Sequence, residues 1–180
     1  DLAVEYYLKA IGLVSAGYFH KRLDGPIYRR TFDGTYEGQP ARFTVFDNAG
    51  RARVSGWEFT YTQQLAFLPG ALDGLGVYAN FTLVDSNVTL TEPGRVGEKL
   101  PLFNQSKQLG NFALTYQKHG LFVRVSHNWR GDYLQALGNA AGLDQFARGF
   151  ESYDLLASYK LSRRWTLKAE ASNLRAAPEE

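Results

Sequence analysis

The residues Gly74-Leu75-Gly76-Val77-Tyr78-Ala79 spell G-x-G-x-x-A, the pattern that lets a backbone approach a pyrophosphate. That chemistry needs a strand before the glycines and a helix after them. Here the pattern opens an alternating run, Leu75, Val77, Ala79, Phe81 and Leu83, which predicts a strand, so no dinucleotide site follows. His20, His119 and His127 lack ligand spacing such as H-x-x-x-H, and the chain has no cysteine, so neither a metal centre nor a cofactor is expected. Ser, His and Asp all occur, but no G-x-S-x-G elbow does, and an enzyme is not the expectation. Asp132 and Asp144 share a loop in which they could approach as acid and base, although carboxylates in loops are ordinarily just solvated. The pairs Arg29-Arg30 and Arg163-Arg164 are too short for a nucleic-acid face, and a net charge of +2 suggests no polyanion. The second pair sits in a tight turn, where it would meet anionic lipid or solvent. Asn80-Phe81-Thr82, Asn87-Val88-Thr89 and Asn104-Gln105-Ser106 match glycosylation acceptors and are read as chance.

The elements that carry these residues are strands. In "GWEFTYTQQLAFLPGALDGLGVYANFTLVD", Trp57, Phe59 and Tyr61 share one parity, and Glu58, Thr60, Thr62 and Gln64 the other. After Leu68-Pro69-Gly70 the pattern resumes, with Leu75 to Leu83 opposed to Gly76, Tyr78, Asn80 and Thr82. This predicts a hairpin with one greasy and one wet side. Eight strands are expected: Leu2–Lys9, Leu13–Leu23, the two of this hairpin, Leu109–Gln117, Leu121–Arg130, Ser152–Leu161 and Trp165–Leu174. Irregular polar segments fill the chain from about Asp24 to Arg53, from Ser86 to Gln105 and from Gly131 to Phe150. The small turn Ala10-Ile11-Gly12 joins the first two strands. In the second strand neither Val14/Ala16/Tyr18 nor Leu13/Gly17/Phe19 is cleanly apolar.

The connections alternate short and long, so in an up-and-down arrangement all tight turns lie at one end and all long loops at the other. Outer-membrane barrels sort their loops this way, whereas soluble sandwiches have no reason to. With 180 residues, 44% of them apolar, the chain makes one sizeable domain. The longest uncharged run lies between Glu58 and Asp73 and contains Thr, Gln, Pro and Gly, so no transmembrane helix is available. A mean hydropathy of -0.31 does not exclude spanning strands, because only alternate positions are apolar. Tyr or Trp recurs near strand ends, at Tyr6, Trp57, Tyr61, Tyr116, Trp129, Tyr133, Tyr153, Tyr159 and Trp165, where interfacial girdles place such rings. The chain opens on Asp1-Leu2-Ala3-Val4, without Met or a leader, and the expectation is a piece of a longer chain.

"ARVSGWEFTYTQQL", "LPGALDGLGVYANFTLVDS", "LPLFNQSKQLGNFALTYQKHGLFVRVSHNWRGDYL" and "YDLLASYKLSRRWTLKAEASNL" together resemble the C-terminal barrel of TonB-dependent outer-membrane receptors. The resemblance rests on the Gly56-x-Glu58 step, the turn before Gly74, the Ser106-Lys107 entry to strand five, the Arg130-x-x-Tyr133 exit from strand six and the closing Asn173-Leu174. It implies an all-β fold: an antiparallel up-and-down transmembrane β-barrel wall, residues 1–180 being about eight strands of a barrel of the roughly 22-stranded type. It also implies a Gram-negative outer-membrane transporter for a scarce ligand, of siderophore-iron, cobalamin or carbohydrate type. The implied partners are outer-membrane lipid, an N-terminal plug domain, the remaining strands, TonB through the plug, and a small-molecule ligand. Neither the plug nor roughly fourteen earlier strands is in this sequence, and about two later strands are expected beyond Asn173-Leu174.

On this reading Trp57, Phe59, Tyr61, Phe81, Leu83, Val123, Trp129 and Leu167 face lipid, and Glu58, Asn80, Asn111, Arg124, Asn128 and Glu170 face the lumen. Tyr28, Tyr36, Phe43, Phe46, Phe103 and Phe146 lie in the long loops, where they either grip a ligand at the outer mouth or pack the loops on one another. Two alternatives stay open from the residues: a complete eight-stranded membrane barrel with a structural or adhesion role, and a soluble lipocalin-like barrel or β-sandwich. The assignment of faces predicts that Phe59→Arg costs about 2–4 kcal/mol of stability in a bilayer, while Thr60→Arg is much milder. Denaturant unfolding of the protein in lipid vesicles measures both, and equal or reversed costs contradict the assignment.

Overall fold

The computed structural model describes residues 1–9, 11–138 and 140–175. Ala10 of the first expected turn and the tail Ala177-Pro178-Glu179-Glu180 lie outside them. In chain order the strands are β1 (Leu2–Leu8), β2 (Gly12–Asp24), β3 (Ile27–Tyr36), β4 (Gln39–Asn48), β5 (Arg51–Gln64), β6 (Leu75–Thr89), β7 (Lys99–Leu100), β8 (Gln108–Lys118), β9 (Leu121–Arg130), β10 (Tyr133–Ala136), β11 (Gln145–Ala147), β12 (Phe150–Lys160) and β13 (Thr166–Ala171). The main sheet runs β1-β2-β5-β6-β8-β9-β12-β13, every neighbour antiparallel, with β7 added beside the upper end of β6. These are the eight expected strands in up-and-down order. Among the described residues β1 and β13 do not pair with each other, so the sheet is open and is not a closed eight-stranded barrel.

Tight turns close one end. Lys118 pairs with Leu121, leaving His119 (φ 50°) and Gly120 (φ 80°) as a two-residue turn with both φ positive, the geometry whose twist matches antiparallel strands. At the β12–β13 turn the Ser162 hydroxyl accepts hydrogen bonds from the backbone N–H groups of Arg164 and Trp165. Between β5 and β6 the chain makes a short 3-10 turn, Gly70–Gly74, pinned where the Lys118 ammonium donates to the Gly70 carbonyl and to Asp73. The letters of G-x-G-x-x-A therefore end a 3-10 turn and open β6.

The opposite end departs from expectation. The segment from Asp24 to Arg53 is not irregular: β3 and β4 form a ten-pair hairpin from Ile27↔Asn48 to Tyr36↔Gln39. Its base is tied to the wall by Gly25 N–H to the Gly50 carbonyl, directly above the last wall pair, Asp24↔Arg51. β5 accordingly begins at Arg51 rather than at Gly56, and β6 continues to Thr89. The loop after β9 also carries a small hairpin, β10–β11, and β10 is followed by a parallel bridge, Arg30↔Leu137, to β3.

Register settles the second strand. Val14, Ala16 and Tyr18 pair with Tyr61, Phe59 and Trp57, and directly opposed residues share a face, so Val14/Ala16/Tyr18 belong to the greasy side. One position on that side requires glycine. A Cβ on Gly110 would lie inside the indole of Trp129, its cross-strand neighbour, so the ring occupies the space that a side chain would fill. Gly110→Val is expected to displace the indole and to cost about 1–3 kcal/mol. The blue edge of Trp129 emission in bilayers and the unfolding midpoint read this together, and an unchanged spectrum contradicts the packing.

Candidate functional site

The main sheet presents two unlike faces. All eight residues assigned to one side, Trp57, Phe59, Tyr61, Phe81, Leu83, Val123, Trp129 and Leu167, share a face by register, together with Leu2, Val4, Tyr6, Phe112, Leu114, Val125, Leu155 and Tyr159. Most of these large apolar groups are exposed, Trp57 at 48% and Leu167 at 64%. Along β8, Phe112 and Leu114 are exposed while Asn111, Ala113 and Thr115 opposite them are buried or half-buried. A protein folded around a core in water has this order reversed.

The polar face is organised in rows. Ser15, Thr60, Asn80, Asn111, Asn128 and Ser152 are successive cross-strand partners, one row over six strands. Asn80 donates its amide N–H to the Thr60 hydroxyl at 3.1 Å, and Asn111 donates to the Asn128 carbonyl oxygen. Asn128 in turn donates to the Ser152 hydroxyl at 3.2 Å and to Asp154 Oδ2 at 2.9 Å. Asp154 Oδ1 accepts the backbone N–H of Asn173 at 3.0 Å, so one carboxylate anchors the row and the end of the last strand. Asn111 Oδ1 is buried without a hydrogen-bond partner. Arg124, Glu170 and Asp154 line one cavity of about 210 Å³ on this face. Glu58 lies on the same face, paired with Thr82. The six polar residues singled out in the sequence thus share one side; Asp154, which accepts from Asn128, Ser152 and the Asn173 backbone, was not singled out, and only its parity in the strand hinted at it.

Above the sheet the long loops have their own core, formed by Tyr28, Ala49, Ala52, Val88, Leu90, Phe103, Leu134 and Leu137. Tyr28, 2% exposed, stacks on Phe103 at 4.8 Å between centroids, so these two aromatics hold loops together. Phe43 stacks on Phe32 at 5.4 Å within the β3–β4 hairpin. Tyr36, Phe46 and Phe146 remain exposed, Phe46 at 78%. The six loop aromatics therefore divide between packing and open surface.

Ions lock this layer. Arg95 donates to both Asp144 oxygens at 2.6 and 2.8 Å, to Glu98 at 2.7 and 2.8 Å, and to the Gly138 carbonyl at 3.2 Å. The Arg95 and Asp144 side chains are each 4% exposed. The two hydrogen-bonded carboxylates hold the guanidinium proton above its usual range, and Arg95 keeps the Glu98 carboxyl below the usual carboxylate range. Arg30 binds Glu92 at 2.8 Å, and Tyr28 donates to the same carboxylate at 3.4 Å. Burial first, then the Glu92 charge, pushes the Tyr28 hydroxyl up to about 12. Asp144 thus serves Arg95, while Asp132 accepts the Gly149 N–H, and each loop carboxylate has its own structural partner. Among the described residues no group of three or more His, Asp or Glu side chains gathers at metal-binding range.

The TonB dependent receptor-like β-barrel family model matches residues 1–174. The chain belongs to that family. Similar solved structures include the siderophore receptor PiuA from Acinetobacter baumannii, at TM-score 0.63 and 18% identity over 95% of this chain and 23% of that one. The ferric enterobactin receptor PfeA (a mutant) from Pseudomonas aeruginosa matches at TM-score 0.62 and 20% identity over 96% of this chain and 24% of that one. The siderophore receptor PirA from Acinetobacter baumannii matches at TM-score 0.60 and 15% identity, over 95% and 26%. The chain spans about a quarter of the length of these receptors. The open sheet is therefore a stretch of transmembrane β-barrel wall, and neither the complete small barrel nor the soluble module describes it.

Two outcomes are expected of the loop layer. Arg95→Met leaves the Asp144 carboxylate buried without its cation, at a cost of about 3–5 kcal/mol to this layer, read as faster proteolysis of the loops with the wall intact. The folded chain also holds the Tyr28 proton more tightly than the unfolded chain does. That stabilisation is full below the ordinary tyrosine range near ~10 and is lost as pH rises toward about 12. The denaturant midpoint of the loop layer should fall over that window, and Tyr28→Phe should abolish that part of the fall.

Proposed function

We propose that this chain is part of an outer-membrane active transporter that takes up a scarce ligand of the ferric siderophore type, driven by energy relayed through TonB to a plug domain. The face bearing Trp57, Phe59, Leu83, Val123 and Leu167 meets hydrocarbon, and the face bearing Glu58, Asn80, Asn111, Arg124, Asn128 and Glu170 meets the plug and the water around it. The observation that carries the reading is the inverted exposure of the two faces: the greasy side is spread open while the amide row is crowded. Left in water, an apolar surface of this extent would be unusually large for a soluble monomer. Family membership and three receptor neighbours, two of them siderophore receptors and one a ferric enterobactin receptor, support the ligand class.

Within that reading the exposed loop aromatics Tyr36, Phe46 and Phe146 offer ring surface to a ligand at the outer mouth, while Tyr28, Phe43 and Phe103 shape the loops that carry them. The partners are the lipid, the plug, the rest of the barrel and TonB, at the outer membrane of a Gram-negative cell. The test is uptake of radiolabelled ferric siderophores by cells making the intact receptor. Uptake should require both TonB and the proton gradient, and uptake that persists without TonB overturns the mechanism. Replacing both Tyr36 and Phe46 by Ala should weaken ligand binding about tenfold or more, measured by fluorescence quenching, with loop proteolysis unchanged.

A further inference from the structure

Near the loop end of β9 the greasy face finishes in a belt of rings. His127 stacks on Tyr153 at 4.4 Å and on Trp129 at 5.2 Å, and Trp129 stacks on Phe81 at 6.0 Å. Tyr18 and Trp57 continue the belt at 5.2 Å. Amphipathic rings gather where hydrocarbon gives way to headgroups. Immediately above lies a groove of about 750 Å³ whose lining includes Gln108, Trp129, Arg130, Arg148, Glu151 and Arg175. The same Gln108 also borders the adjoining cavity of about 430 Å³, which Lys107 lines. Of the acids here, Asp132 is engaged by the Gly149 N–H and Glu151 by Arg175 at 3.2 Å. Arg130 lies over the Tyr133 ring at 4.7 Å. Arg148 is exposed and, among the described residues, pairs with no carboxylate.

We propose that this groove is a binding site for the phosphate-bearing headgroup of a membrane lipid, whose acyl chains lie down the belt of Phe81, Trp129 and Tyr153. The proposal rests on the reading that the greasy face meets hydrocarbon. Guanidinium groups present forked donors that match phosphate oxygens, and their positive charge selects an anionic headgroup over a zwitterionic one. Continuity between groove and belt selects a lipid over a free anion: the rings below give acyl chains a surface that inorganic phosphate cannot use. The occupant is thus a lipid bound at one place on the wall, distinct from the ligand of the outer mouth.

The test uses the intact receptor in mild detergent, titrated with phosphatidylglycerol or phosphatidylcholine and read by native mass spectrometry. The wild type should hold phosphatidylglycerol about tenfold more tightly than phosphatidylcholine. Arg148→Glu combined with Arg175→Glu should erase that preference, and the charge-neutral pair Arg148→Gln with Arg175→Gln should reduce it while keeping the fold. Arg29→Glu with Arg42→Glu, an equal change of charge on the β3–β4 hairpin at two residues that do not line the groove, should leave it intact. Millimolar inorganic phosphate should not displace the lipid. Equal retention by the rim variants, no headgroup preference in the wild type, or displacement by phosphate each overturns the site. If the wild type fails to enter bilayers at all, the transporter reading falls and the lipid site with it; if it inserts but shows no preference, only the lipid site falls.

Discussion

Hydrocarbon offers a backbone no hydrogen-bond partners, so a strand that crosses it must find every donor and acceptor on its neighbours. That demand explains the unbroken antiparallel ladders of the main sheet, thirteen opposed pairs between β2 and β5 and thirteen between β5 and β6. It also explains why irregular backbone is confined to the two ends. Side-chain chemistry is then divided by parity alone. One side of each strand matches the solvent of the bilayer, and the other is free to carry amides, arginines and carboxylates that hydrocarbon would reject.

The division of labour between wall and loops follows. In the wall, packing across strands is two-dimensional, and hydrogen bonds such as Asn128 to Asp154 replace the three-dimensional core of a soluble protein. In the loop layer, water is available again and an ordinary core returns, around Tyr28, Leu90, Phe103 and Leu134. Its Arg95–Asp144 pair is buried and multiply hydrogen-bonded, which fixes geometry: Arg95 satisfies two carboxylates and a carbonyl at once. The junction is held by small groups, as where the buried Ser106 hydroxyl donates to the Gly131 carbonyl at 2.7 Å, joining the start of β8 to the end of β9.

All eight wall strands were legible because the bilayer imposes a period of two on every one of them. The β3–β4 hairpin was not, since it lies among the loops, with Tyr28 in their core and much of the rest open: Arg29, Thr31 and Asp33 oppose Phe46, Thr44 and Arg42, and no face is consistently apolar. The second strand was ambiguous until Tyr18 was seen beside Trp57, because small residues on both parities blur the pattern that register resolves. Parity grouped Asn80, Asn111 and Asn128 correctly on one face, but that they form one row depends on stagger between strands, which no local pattern encodes. The contact between Arg95 and Asp144, separated by 49 positions, likewise depends on how two loops fold over one another. Burial of Tyr28 and Phe103 beside exposed Phe46 follows from the same unseen packing.

The β3–β4 hairpin leaves the wall after Asp24 and rejoins it at Arg51, and those two residues face each other across the ladder. The excursion therefore begins and ends at the same height, and nothing in the wall's stagger depends on how many residues lie between. Such a segment behaves as a cassette: it can be shortened, lengthened or exchanged during evolution while β2 and β5 stay joined at the same step. The loop end can diversify there without reopening the problem of crossing the bilayer.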